Sequence, residues 1–551
     1  MSGCECFCWH NKHTDEYDEF FPLPLSQPFS LPSPIPDWPS GQGFATGKVD
    51  LGDLEVVKIT KFESVWTCYL LRGKAKGVTF YKHVGIRDGF FCLGYYCQPN
   101  DQPLRGYVLV ARERVASTPG VCRDHDSDSG LPALRKPVNY TLIWSSDSLR
   151  YCCGLFWLPN APVGYKAMGI LVTDTPEEPD DEEVRCVRDD LTETCEIKYA
   201  IFSTGADQFQ VWNIRPCKRG MFCKGVSVGT FFCSTYFVSE LEIVCLKNLD
   251  PTLHAMLNLN QIHALIKHYG ARVYFHPDED YLPSSVQWFF KNGALLCENG
   301  KLKALPGDDS AGNNVKKGNL ESAELYVHVK PASGRTFTDI VMWIFCPFNG
   351  PANLKIGLMN IQMNKLGQHV SDWEHFTLRI SNFTGELWQV YFSQHSGCEW
   401  VNAFDLEYSE GNKPIVYSSR DGHASFPHPG TYLQGSVKLG IGIRNDAARS
   451  KYSVDSSTKY QIIAAEYLGD GVVTEPCWLD YMREWGPTIV YDSRSELDRI
   501  INLLPFFVRL SEENIFDVFP TELYGEEGPT GPKEKDNWGG DEIWTSTRRP
   551  K

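Results

Sequence analysis

The segment GQHVSDWEHFTLRI, residues 367–380, gathers His369, Asp372 and Glu374 around a tryptophan and then runs into alternating apolar positions. In an extended strand residues two apart share a face, so Asp372 and Glu374 point the same way, and His369 joins them if 369–371 form a turn. Carboxylates plus imidazole, without a thiolate, suit a divalent cation such as Mg²⁺, Ca²⁺ or Mn²⁺ better than structural zinc. Two more histidines follow downstream strands and complete the candidate ligand set: His395 in VYFSQHSGCEW and His423 in SSRDGHASFPHPG. The competing reading is a solvated strand edge, where Glu and His are common. A cation held this way can brace a fold, or it can lower the pKa of a bound water and make a metal-dependent hydrolase. No G-x-S-x-G elbow, P-loop or dinucleotide fingerprint offers a different chemistry.

These residues have to be positioned by strands, and the composition agrees. The chain has 551 residues, 42% hydrophobic and 13% aromatic, with 46 Gly and 34 Pro, which favours many short strands joined by turns. The fold class expected is mainly β with few helices: a β-prism-like domain at 45–249, then a β-sandwich-like domain with peripheral helices at 250–525. The prism expectation rests on a weak repeat. CQPNDQPLRGYVLV (97–110) and WLPNAPVGYKAMGILV (157–172) share a proline–asparagine turn and a Gly-Tyr step into a strand, and each follows a tryptophan-bearing strand. A third copy falls at 208–232. The acidic run 174–190 lacks the ligand alternation and central glycine of an EF-hand loop, so it reads as a solvated connection. In 250–270, Leu253, Met256, Leu257, Ile262, Leu265 and Ile266 predict a helix stopped by Gly270. His276, Asp278, Glu279 and Asp280 form a polar cluster after the next strand, and 495–507 reads as the last helix.

Residues 1–44 read as a Cys/Pro-rich leader lying extended on the domain that follows, and 526–551 as a polar carboxy-terminal tail. Cys4, Cys6 and Cys8 lack the two-residue gap of paired zinc thiolates and suit S-acylation better. Lys plus Arg number 53 against 69 Asp plus Glu, and the net charge of −16 argues against nucleic-acid binding. No signal-peptide pattern and no spanning apolar run is present, so the nineteen cysteines are expected reduced and the protein cytoplasmic, with the sequons at Asn139 and Asn382 silent.

The segments PNDQPLRGYVLVAR, YLPSSVQWFF, WIFCPFNG, HVSDWEHFTLRI, DGHASFPHPG and GPTGPKEKDNW together resemble the plant branch of the vacuolar protein sorting-associated protein 62 family, along essentially the whole chain. The resemblance implies an amino-terminal prism-like region similar to domains that help multivesicular-body proteins touch membranes. It implies a β-rich carboxy-terminal domain and brings no established catalysis. GQHVSDWEH is also similar to the Gly-His-Arg-His-Asp-Trp-Glu motif of the necrosis-inducing cytolysins, where His, Asp and Glu hold a divalent cation. His369, Asp372 and Glu374 take the matching positions, while Gln368 and Ser371 depart from the motif. The function expected is a non-enzymatic protein related to vacuolar protein sorting. Its partners would be a membrane lipid or a trafficking protein, and its place the cytoplasm or the surface of an endosomal or vacuolar membrane. A metal-dependent hydrolase and a lectin-like carbohydrate binder are the alternatives.

Overall fold

The computed structural model describes residues 25–68, 77–114, 130–146, 154–203, 209–235, 242–295, 314–363, 367–394, 397–436, 440–486 and 529–542. The expected helix at 495–507 and the cysteines of the leader lie outside these residues. The protein is mainly β, built from several small sheets. Two compact units divide it: one of Met1–Ser30, Thr46–Arg219 and Cys223–His254, the other of Leu31–Ala45, Gly220–Phe222 and Ala255–Lys551.

The amino-terminal unit uses one plan three times. A central strand, Val78–His83, Leu155–Asn160 or Phe209–Pro216, is flanked on each side by an antiparallel neighbour. A second, three-stranded layer accompanies each set, and in the third copy the long strand Thr192–Ser203 runs through both layers. Phe80, Phe156 and Phe209, one from each central strand, meet with successive ring centroids 4.8 Å apart, and Phe231 closes on Phe80 at 5.2 Å. The two proline–asparagine turns are not equivalent: Pro99 ends the third strand of its copy, whereas Pro159 and Asn160 end a central strand. Such a dipeptide marks where a strand stops but carries nothing about which strand it is. The tryptophan strands Phe62–Cys68 and Asn139–Ser145 do correspond.

In the carboxy-terminal unit six strands run in the order Gly397–Asn402, Leu387–Gln394, His369–Ser381, Phe337–Asn349, Leu325–Ala332 and Tyr460–Ala464, antiparallel except for the last pair. Every residue of Phe337–Asn349 is buried, because both faces of this sheet are covered. On one face Ile340, Met342, Phe376 and Leu378 pack against Val273, Val416 and Val454 of a facing sheet and against helix α1, Leu259–Tyr269. On the other, Trp343, Phe345 and Trp373 pack against helix α2, Val286–Lys291, and Trp485. Helix α1 starts later than its apolar spacing suggests. Asn258 and Gln261 form a reciprocal capping box, so Leu253, Met256 and Leu257 precede the helix.

Both ends of the described chain differ from the expected leader and tail. Residues 31–45 belong to the carboxy-terminal unit: the amide of Ser33 donates to Asn412 Oδ1 at 2.8 Å, and Trp38 packs on Tyr269 with centroids 6.0 Å apart. Proline forbids a helix there, yet an extended strap can still bury its aromatic and leucine side chains.

Residues 529–542 are likewise no free tail. Glu542 is 4% exposed, takes hydrogen bonds from His375 Nε2 at 3.1 Å and Thr377 Oγ1 at 2.7 Å, and is held at about 2. Burial alone would raise it; His375 and Lys330 overcome that. Lys330, 1% exposed, donates to the carbonyls of Asn537 and Gly540. Arg379 grips Asp339 through two bonds of 2.8 Å and reaches Asp541 at 3.1 Å. The polar composition of this segment reads as solvated because its partners lie on strands distant in sequence.

Candidate acidic site on the central sheet

Pairing of His369–Ser381 with Phe337–Asn349 sets Asp372 opposite Cys346 and His369 opposite Asn349. Asp372 and Glu374 fall on the face of Phe376, toward the sandwich interior. Trp373 takes the opposite face, where it is 2% exposed and meets Phe345 at 4.9 Å and Trp485 at 5.2 Å. Within the strand Ser371 has φ +63°, a left-handed conformation that its hydroxyl helps fix by donating to Trp485 O at 3.1 Å. Residues 369–371 form no turn but stay in the strand, with His369 still paired to Asn349, and the Asp372 carboxylate acts on the His369 ring. His369 Nδ1 lies 2.7 Å from Ser371 O. A carbonyl only accepts, so Nδ1 carries the proton and Nε2 keeps its lone pair. Burial holds this ring below the usual histidine range, in the neutral state that can ligate a metal.

His423 arrives from the loop between Lys413–Ser418 and Ser425–Phe426 and is fully buried. Its Nδ1 meets Asp372 Oδ2 at 2.9 Å and its Nε2 meets Tyr281 O at 2.8 Å, with Glu279 Oε1 at 3.8 Å. The carbonyl demands a proton on Nε2, and a bare Nδ1 would face a carboxylate lone pair to lone pair. His423 is therefore an imidazolium. Burial opposes that charge, but the acidic neighbours hold it well above the usual histidine range. Cys346 also abuts the ring, yet burial pushes its thiol up to about 11, so the attraction comes from Glu279 and Asp372.

Glu279 is fixed in turn. It accepts the amides of Tyr281 and Asp421, each at 2.8 Å, and stays below its usual range despite burial because His423 and these amides favour the carboxylate. Asp421 and His423 have φ of +64° and +54°, so with Ser371 three non-glycine residues in left-handed backbone converge here. Gly350 lets the loop in: a Cβ there would lie 2.8 Å from the Tyr281 ring and 2.9 Å from Asp421 Cβ. Asp421 is itself pushed up to about 6 by burial and by Glu279.

Glu374 is pushed up to about 8, first by burial and then by Asp372, which favours its neutral form. Lys535, on the docked carboxy-terminal segment, acts on both Glu374 and His369.

Of the residues expected from sequence, His369, Asp372, Glu374 and His423 come together, and His395 lies outside the described residues. Among the described residues no three His, Cys, Asp or Glu side chains stand placed to hold one metal ion. Sequence reasoning missed Asp421, Cys346 and Lys535 as site residues. Glu279 was visible only within a polar cluster whose His276 turns back to accept the Asp278 amide at 3.1 Å. The signal for Asp421 was the Arg-Asp-Gly-His step, a tight turn that must place two side chains at one point.

A family profile described as vacuolar protein sorting-associated protein 62 matches residues 25–306 and 302–542. No curated protein matches the chain in sequence. Among solved structures, GNIP1Aa from Chromobacterium piscinae is similar at TM-score 0.26 and 15% identity, over 38% of this chain and 40% of that one. Necrosis and Ethylene inducing Protein 2 from the causal agent of cocoa's Witches Broom disease gives 0.20 and 13%, over 39% of this chain and 84% of that one. NLPPya in complex with glucosamine gives 0.21 and 12%, over 38% and 75%. The chain thus spans 40% of the length of the first of these.

Proposed function

Because the chain belongs to the vacuolar protein sorting-associated protein 62 family, we propose that it is a non-enzymatic protein of vacuolar sorting whose carboxy-terminal unit carries a cation-responsive acidic site. One observation supports the site: Asp372 and Glu374 share a strand face beside a buried imidazolium, with His369 near enough for Asp372 to act on its ring. The donor set fits a divalent cation in kind. His369 offers Nε2, Asp372 a carboxylate, and Glu374 a carboxylate once its proton leaves. His423 would then orient Asp372 from behind rather than ligate, since both its nitrogens are committed. Binding is favoured over attack because the thiol nearest His423, Cys346, is 1% exposed and held about 11.

The family supports action in the cytoplasm at an endosomal or vacuolar surface, through a lipid or a trafficking protein. No helix among the described residues is long and apolar enough to cross a membrane. The test is elemental analysis of protein dialysed against Ca²⁺, Mg²⁺ and Mn²⁺, with melting compared before and after chelation. Metal at one equivalent and a melt lowered by the chelator support the site; a metal-free protein whose melt ignores all three ions removes it. Flotation with liposomes of stated composition tests the membrane role separately.

A further inference from the structure

The third copy of the amino-terminal plan places cysteines on neighbouring strands. Cys195 lies on Thr192–Ser203 and Cys245 on Val244–Lys247. Glu193 pairs with Cys245, and the Cys195 amide donates to Ile243 O at 2.8 Å, so the two cysteines share a face as diagonal neighbours. Cys245 Sγ donates to Glu193 O at 3.6 Å and so leans over the adjacent strand on the face that Cys195 shares. On the far side of Cys245 the next strand offers Gly225, where even an added Cβ would stop 3.5 Å from the sulfur, so no side chain of that residue pins the thiol in place. Cys195 is half-buried and reachable, while Cys245 is 1% exposed.

We propose that Cys195 and Cys245 form a redox-active dithiol that closes to a disulfide when the protein meets a small-molecule disulfide. The Cys195 thiolate attacks one sulfur of glutathione disulfide, which forms a mixed disulfide and releases a first glutathione thiolate. That thiolate takes up the proton lost by Cys195. Cys245 then gives up its proton and attacks the Cys195 sulfur, expelling the second glutathione, which is protonated in turn. Two protein thiols are oxidised and one small disulfide is reduced to two thiols.

Diagonal neighbours start about 7 Å apart at Cα, and a disulfide spans up to about 6.8 Å. Closure therefore asks a small shift, and Cys245 sits one residue from the start of its strand, where the backbone yields most easily. Cys245 and burial push the Cys195 thiol up, so its attack on a disulfide is slow.

The experiment uses the reduced full chain, incubated with glutathione disulfide, quenched in acid, alkylated with N-ethylmaleimide and mapped by mass spectrometry. The expected result is a cross-linked peptide joining Cys195 to Cys245, with both lost to alkylation, and a higher melting temperature. Cys217, exposed and one residue past Pro216, the cross-strand partner of Cys195, is the competing thiol. A Cys217→Ser variant should form the same link, and a Cys245→Ser variant should stop with glutathione on Cys195. Complete alkylation of Cys195 and Cys245 after treatment that modifies Cys217, or a link from Cys195 to Cys217 instead, overturns the proposal.

Discussion

Glu542→Gln removes one charge from the buried network under the carboxy-terminal segment while keeping the size of the side chain. The folded protein holds this carboxyl at about 2 against an ordinary 4.5. At about 1.4 kcal/mol per pH unit, that gap is worth about 3 kcal/mol of stability at neutral pH. The direction follows from the depressed value. The contribution is complete above the ordinary carboxylate pKa and is lost as pH falls from about 5 through about 2. Glutamine can still accept from Thr377, but His375 and the buried Lys330 lose their anionic partner. The assay is urea unfolding of the full chain, followed by tryptophan fluorescence and by hydrogen exchange in 529–542, at pH 7, 5, 4 and 3. The variant should be less stable by about 3 kcal/mol at pH 7, with the deficit shrinking toward pH 3. A deficit under about 0.5 kcal/mol at pH 7, or one that persists undiminished at pH 3, refutes the assignment of a buried ionised carboxylate.

Three further outcomes are expected. Asp372→Asn leaves the His423 imidazolium without its closest anion and should cost about 3–5 kcal/mol, with loss of any bound divalent metal on elemental analysis. Trp373→Ala should cost about 3–5 kcal/mol through lost packing alone, and its metal content should match wild type. Glu374 has a raised value, so its neutral form stabilises the fold below pH 4.5 and that contribution is lost as pH rises toward about 8; a Glu374→Gln variant should gain on wild type across this range in melts run from pH 5 to 9.

The strands were legible wherever apolar residues alternate, and so was the sharing of one face by Asp372 and Glu374. That is backbone geometry and needs no tertiary information. His423 was legible as a candidate, but its role was not. Whether a histidine ligates or carries charge depends on what each nitrogen faces, and Tyr281 O and Asp372 reach it from distant segments. Glu279 hid among three polar neighbours for the same reason. The strap at 31–45 and the segment 529–542 misread because prolines and charges suggest solvent, whereas burial there is decided by Asn412, Lys330 and Arg379. Cross-strand partners of this kind leave no periodic trace.

The strap and the carboxy-terminal segment also order events during synthesis. Both belong to the carboxy-terminal unit, although the amino-terminal unit is translated between them. At about 5–20 residues per second the ribosome finishes the intervening unit well before the sheet that the strap lines exists. Leu31–Ala45 must therefore wait, exposed, for partners made much later. The sheet then carries an unmatched Lys330 until Asn537–Gly540 emerges to answer it. Contacts of such long sequence separation fold slowly. The half-made chain thus shows apolar strap residues and a buried-type charge to solvent for tens of seconds, an interval in which a chaperone has something specific to hold.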